Sequence, residues 1–293
     1  MNRVLIFGGN GMLGHKLVQG LSSRFETYYT LRGEYEAVQR FGIFDPVFAV
    51  AYISAEDPDS IRRAIDLTEP DVVINAIGIV KQVPSAKNVI TTLTINSIFP
   101  HRLAELGREC GFRLISISTD CVFDGIRGNY SEEDQPNATD LYGKSKNLGE
   151  VLGENCLTIR SSIIGRELDS SHSLVEWFLS NRGRQVKGYT QAIYSGFPTV
   201  VFTDIIASLI SDHKELSGLY HVASDAIDKF RLLGLIDRYF GSGIDLIPSD
   251  ELKIDRSLDG SRFRAETGFK ARSWEEMIEL MANDPTPYDT FRK

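Results

Sequence analysis

A short apolar run at residues 4–7 (VLIF) opens directly onto the loop GGNGMLG, and this junction constrains the fold more than any other stretch of the chain. Consecutive apolar residues ending on glycine read as a buried strand, and Met12, Leu13, Leu17, Val18 and Leu21 then recur at helical spacing. Strand, glycine turn and helix together open a βαβ unit. Glycines at 8, 11 and 14 let the backbone turn tightly while its N–H groups approach a diphosphate at the helix N-terminus. The spacing is GxxGxxG rather than GxGxxG, and its position at the first strand–helix junction is what points to a dinucleotide. Gly8, Asn10, Gly11, Met12, Leu13 and Gly14 are therefore the candidate cofactor loop.

The same rhythm returns at 71–76 (DVVINA), after Pro70, and at 113–118 (RLISIS), reached through an amphipathic stretch at 96–110. Residues 156–160 (CLTIR) and 218–223 (GLYHVA) read as further strands. Strands alternating with helices predict an α/β fold of Rossmann type, a doubly wound parallel sheet completed late in the chain. Residues 166–186 and those from 224 onward differ in texture, with short helices, charged turns and single aromatics such as Trp177 and Trp274. They predict a smaller mixed α/β lobe. The expected division is residues 1–165 for the dinucleotide-binding part, completed by about 190–223, with 166–189 and 224–293 forming the lobe.

A net charge of −8, from 32 Lys and Arg against 40 Asp and Glu, argues against a surface built to neutralise nucleic acid. Cys110, Cys121 and Cys156 form no CxxC pair and have no histidine at zinc spacing, so no metal site is expected. Reduced thiols and an N-terminal apolar run too short for a signal peptide or membrane span predict a cytoplasmic protein with no membrane partner.

Arg32 follows the second predicted strand (27–31), where an enzyme selective for NAD commonly carries an acid on the ribose hydroxyls. A guanidinium there suits the 2′-phosphate of NADPH, while Glu26 and Glu34 leave NADH open. Asn75, Ala76, Ile77 and Gly78 close the strand at 71–76, and small residues at that edge let a cofactor lie against backbone; Lys81 and Gln82 follow in the loop.

Ser118, Thr119 and Asp120 end another strand at the same edge, and Tyr142 and Lys146 (YGKSK) lie four apart at the start of a predicted helix, hence on one face. A free phenol titrates near ~10, and a neighbouring Lys146 ammonium is expected to lower that value. In a carbonyl reduction Tyr142 would protonate the developing alkoxide, Thr119 would hydrogen-bond the same oxygen and the nicotinamide would deliver hydride. Arg160, Lys187, Arg256 and Arg262 are guanidinium and ammonium groups suited to phosphate oxygens, and Trp177 is an aromatic suited to stacking.

These motifs together resemble the extended short-chain dehydrogenase/reductase family, and more narrowly its dTDP-4-dehydrorhamnose reductase branch. The branch pattern is matched by STD at 118–120, VFDG at 122–125, the turn at 130–136 and YGKSKNLGE at 142–150, and it continues through 160–162, 197–199, 218–223 and 256–259. The resemblance implies reduction of a 4-keto group on a nucleotide-linked 6-deoxyhexose for surface polysaccharide precursors. It makes the smaller lobe the substrate-binding lobe, places Asp120, Cys121, Ser162, His172, Trp177 and Arg256 toward the sugar nucleotide and is compatible with a homodimer.

Cys121 stands where the branch usually has tyrosine, and Ile163 where it has tryptophan. Either dTDP-4-dehydrorhamnose or a UDP-2-acetamido-2,6-dideoxy-hexos-4-ulose then fits as substrate. Cys121 with His172 also resembles the cysteine and histidine with which GDP-fucose synthases epimerise, which gives a combined epimerase and reductase as a second reading. The regulatory subunit of methionine adenosyltransferase resembles the same branch and gives a non-catalytic third.

Overall fold

The chain, seen in a computed structural model that describes residues 2–292 and, of Pro84 and Ser85, the backbone alone, is organised by one large parallel sheet. Its first strands are β1 (Arg3–Phe7), β2 (Glu26–Thr30), β3 (Ala49–Val50), β4 (Val72–Asn75), β5 (Arg113–Thr119) and β6 (Cys156–Ser161). After them come β7 (Ile163–Ile164), β8 (Gln185–Tyr194), β9 (Phe197–Pro198), β10 (Gly218–His221), β11 (Ile227–Asp228) and β12 (Asp245–Asp255). The large sheet has the order β10-β6-β5-β4-β1-β2-β3, and every pair in it is parallel.

Alternation along β1 explains why its sequence is apolar throughout. Val4 and Ile6 face one layer and Leu5 and Phe7 the other, all fully buried. The first layer is packed by Leu17, Phe202 and Ile278 of the helices Gly14–Leu21, Thr199–Ser211 and Trp274–Ala282. Ile61 and Leu103, from the helices Pro58–Thr68 and Phe99–Cys110, pack the second. Chain order reverses between β1 and β4, so the connections leaving these two strands diverge and open a crevice at their carboxyl ends.

Three departures from the sequence reading have local causes. The second strand begins and ends one residue earlier than predicted, because Arg3 pairs with Glu26 and the Thr30 hydroxyl is needed to accept a bond from the Gly8 N–H. The helix expected from residue 96 starts at Val89 and carries a π-turn over Thr94–Ile98 before continuing as Phe99–Cys110. The smaller lobe, which reads as helices and charged turns, contains two long strands, β8 and β12. β12 (DLIPSDELKID) is largely exposed and alternates poorly, so only its pairing with β8 makes it a strand. Together they form a mixed sheet of order β11-β8-β12, antiparallel on one side and parallel on the other.

Among the described residues no helix is long and apolar enough to cross a membrane, and no group of three or more His, Cys, Asp or Glu is placed to hold a metal ion.

Candidate active site

The glycines of the first loop do different work. Gly8 has φ +89°, and a Cβ there would stand 2.9 Å from Ile77 Cγ1. A Cβ on Gly14 would stand 1.9 Å from the Gly8 carbonyl oxygen, so the helix could not close on the loop with any other residue. Gly11 is exposed, and its Cβ would meet only the Gly8 oxygen, at 3.4 Å. The protein therefore tolerates a side chain at Gly11, and the space kept clear lies over a helix N-terminus whose N-cap residue, Leu13, supplies no side-chain bond.

That open cradle fits a diphosphate. Leu13 points into the core and serves by its backbone, while Asn10 is exposed and Met12 half-buried. Gly11→Val is expected to change folding stability by less than about 1 kcal/mol yet weaken NADPH binding by about tenfold or more. Melting curves and a nicotinamide fluorescence titration read the two effects separately, and unchanged affinity would place the diphosphate elsewhere.

The end of β4 is brought against this loop and against Lys146. Asn75 is buried, its Oδ1 accepting from the Ile77 N–H at 3.1 Å and its Nδ2 donating to Ser116 Oγ at 3.5 Å, so its side chain shapes the turn from below. The Ala76 N–H donates to the Phe7 carbonyl. Gly78 lies beside Lys146, with its ideal Cβ 3.9 Å from Nζ. Arg32, just past β2, is exposed.

The helix Leu141–Leu148 is positioned by the small residues of its motif. Asp140 caps it, accepting from the Gly143 N–H at 2.9 Å. A Cβ on Gly143 would stand 2.3 Å from the Cys121 carbonyl oxygen, and one on Gly149 would stand 1.9 Å from the Asn96 oxygen. The helix is thus pressed between the turn after β5 and the π-turn. Asn96, which sequence reasoning passed over, locks this contact: Oδ1 accepts from the Ile79 N–H at 2.8 Å, and Nδ2 donates to the Ile79 carbonyl at 3.0 Å and to Ser145 Oγ at 3.1 Å. A π-turn at a functional site is a recurrent device, here turning one asparagine toward both segments.

Thr119, Tyr142 and Lys146 come together at the end of β5. The Thr119 hydroxyl donates to Asp120 Oδ1 at 3.0 Å, accepts from the Cys121 N–H at 3.1 Å and is near enough to the Tyr142 phenol to act on it. The Lys146 ammonium donates to the Ile117 carbonyl at 2.8 Å. Burial lowers its pKa to about 8, and Glu150 opposes that shift.

The expected lowering of the phenol is not found. Burial first, then the neighbouring Cys121 and Asp120, push Tyr142 well above the usual tyrosine range. Lys146 spends its nitrogen on Ile117, and the cation stationed at the ring is Lys81, 5.5 Å from its centroid and paired with Asp140 at 2.9 Å. Tyr142 therefore keeps its proton, which is the form a reduction consumes.

Of the residues assigned toward substrate, Asp120, Cys121 and Arg256 gather at the same place. Arg256 Nε donates to the Phe123 carbonyl at 2.9 Å. Burial raises Asp120, with Thr119, Arg256 and Lys229 opposing, and pushes the Cys121 thiol up to about 12. Ser162 contributes its backbone, accepting from the Phe197 N–H.

His172 is exposed in the loop before the helix Leu174–Leu179, and Trp177 on that helix is 42% exposed. Cys121, by contrast, is half-buried in the turn after β5. Of the other cations considered for a diphosphate, Arg160 is buried against Glu150, Lys187 pairs with Glu251 at the surface, and Arg262 lies over the Tyr220 ring.

A glycine cradle at the sheet's switch point, leading across Gly78 to a protonated phenol, is the working geometry of a dinucleotide-dependent oxidoreductase of the short-chain type. Within that class the chain belongs to the family described as RmlD substrate binding domain, which matches residues 1–286. It is similar to the spore coat polysaccharide biosynthesis protein SpsK of Bacillus subtilis, 26% identical over 292 residues, 95% of this chain and 96% of that one. A dTDP-4-dehydrorhamnose reductase of Aggregatibacter actinomycetemcomitans is 26% identical over 235 residues, 77% of this chain and 74% of that one. The crystal structure of dTDP-4-dehydrorhamnose reductase from Bacillus anthracis in complex with NADP has the same fold, with a TM-score of 0.78 at 22% identity, covering 96% of this chain and 98% of that chain.

Proposed function

We propose that this chain uses NADPH, with NADH as the weaker alternative, to reduce the 4-keto group of a nucleotide-linked 6-deoxy sugar destined for surface polysaccharide. The observation that carries the reading is the protonated Tyr142 within reach of Thr119, at the mouth of a cradle that Gly11 leaves open. When bound, the dinucleotide supplies the hydride that the carbonyl carbon receives.

The chain's own residues do the rest. The loop N–H groups hold the diphosphate, Arg32 takes the 2′-phosphate, and Lys146 with Gly78 borders the nicotinamide side. Tyr142 hands its proton to the carbonyl oxygen as negative charge grows there, and Thr119 turns its hydroxyl from Asp120 to the same oxygen. The smaller lobe binds the sugar and nucleotide.

Reduction without epimerisation is favoured because a thiol pushed up to about 12 supplies almost no thiolate to act as a base. The test is absorbance of NADPH with dTDP-4-dehydrorhamnose and UDP-2-acetamido-2,6-dideoxy-hexos-4-ulose offered separately in deuterated water. Turnover of one of them, on the order of 1–10³ s⁻¹, with no solvent deuterium entering the ring carbons, is the expected result. Deuterium in the ring would restore the epimerase reading, and cofactor binding without oxidation of either sugar would favour a non-catalytic role.

A further inference from the structure

The hydroxyl of Tyr194 is buried and has no hydrogen-bond partner. Native structures leave few buried donors unpaired, and a water or a ligand completes most that the protein leaves. The ring cannot swing away to find a partner, since it packs against Trp274 with centroids 5.4 Å apart.

The mixed sheet brings two cationic residues to the strand ends around Tyr194. Tyr194 is the last residue of β8 and pairs with Ile227 of β11, from which the chain passes through Asp228 into Lys229. Arg256 follows the last residue of β12, and its N–H donates to the Ile193 carbonyl at 3.1 Å. Three strand ends thus set Tyr194, Lys229 and Arg256 at one edge of the lobe.

That edge abuts the turn after β5, where Arg256 reaches the Phe123 carbonyl. The Asp120 carboxylate acts on both Lys229 and Tyr194, and the Cys121 thiol on Lys229. The unpaired hydroxyl is therefore buried within electrostatic reach of Asp120, the neighbour of Thr119.

We infer that Tyr194 and Lys229 form the subsite that orients the sugar, by donating hydrogen bonds to an acceptor substituent of its ring. A ring hydroxyl and the carbonyl oxygen of an acetamido group share this acceptor chemistry. The inference rests on the nucleotide-sugar reading above and names the residues that set its specificity.

Tyr194→Phe is the direct test, compared with wild type for melting temperature, NADPH affinity and kinetics on the two keto sugars. Removing an unpaired hydroxyl leaves the melting temperature unchanged or raised and NADPH affinity unchanged. The sugar KM rises by about tenfold or more, with kcat moving less. Lys229→Met raises the same KM by a separate route, so the subsite does not stand on one variant.

Loss confined to the acetamido sugar identifies the amide carbonyl as the acceptor, and loss on both sugars identifies a ring hydroxyl. A destabilised Tyr194→Phe protein with unchanged KM overturns the inference, because the hydroxyl would then have a structural partner. If the wild type reduces neither sugar, the reductase reading fails by itself. The subsite is then read from the melting shift that the same nucleotide sugars produce: its disappearance in Tyr194→Phe supports the subsite, and its persistence overturns it.

Discussion

Replacing Tyr142 with phenylalanine is expected to lower kcat by about 10²–10⁴-fold while changing NADPH affinity by less than about twofold. The substitution removes one oxygen and leaves the ring beneath Lys81, so helix position and the cofactor cradle are preserved. Thr119 keeps its bonds to Asp120 and Cys121, which do not depend on the phenol. What disappears is the proposed proton donor, and neither Lys146, turned to Ile117, nor the Cys121 thiol, which holds its proton too tightly, replaces it. Single-turnover oxidation of bound NADPH isolates the step from product release. A variant that raised KM while keeping kcat would show that Tyr142 only binds the sugar, and the proton would have to come from Asp120.

The assignment of Tyr142 illustrates which parts of the site the sequence carries and which it cannot. Spacing of four residues puts Tyr142 and Lys146 on one helical face, and the run ending at Thr119 puts a hydroxyl at a strand's carboxyl end. Both facts are local, and the fold preserves them. Where a long side chain finally donates is settled by tertiary packing, so the Ile117 carbonyl as partner of Lys146 leaves no mark in the sequence.

The glycines of the helix motif were legible as a pattern but not as a cause, which is the approach of Gly143 to Cys121 and of Gly149 to Asn96. β12 escaped because an exposed strand with charged residues lacks the alternation that marks a half-buried sheet. Tyr194 escaped for a different reason. Whether a hydroxyl is paired is a property of the folded surroundings, and a tyrosine that lacks a partner looks in sequence like any other core aromatic.

The second large effect is on stability: Glu150→Ala is expected to cost about 3–5 kcal/mol of folding free energy. Glu150 and Arg160 are paired at 2.7 Å with both side chains under a tenth exposed. The carboxylate accepts from Arg160 Nε and a terminal nitrogen, and also from Ser118 Oγ at 2.7 Å, so it ties β6 to β5 just below Thr119. Removing it strands a guanidinium between β5 and β10.

His221 cannot take over, because burial and Arg160 hold it well below the usual histidine range, at about 4, as a neutral ring that already accepts from Arg160 at 3.2 Å. Its Nδ1 is spent on the Tyr130 carbonyl. Chemical denaturation reads the loss directly, and Glu150→Gln should recover part of it by keeping the Ser118 and Arg160 contacts without the charge. A change below about 1 kcal/mol would mean that the pair behaves like an exposed ion pair. The ends of β5 and β6, and with them Thr119, would then be held by packing alone.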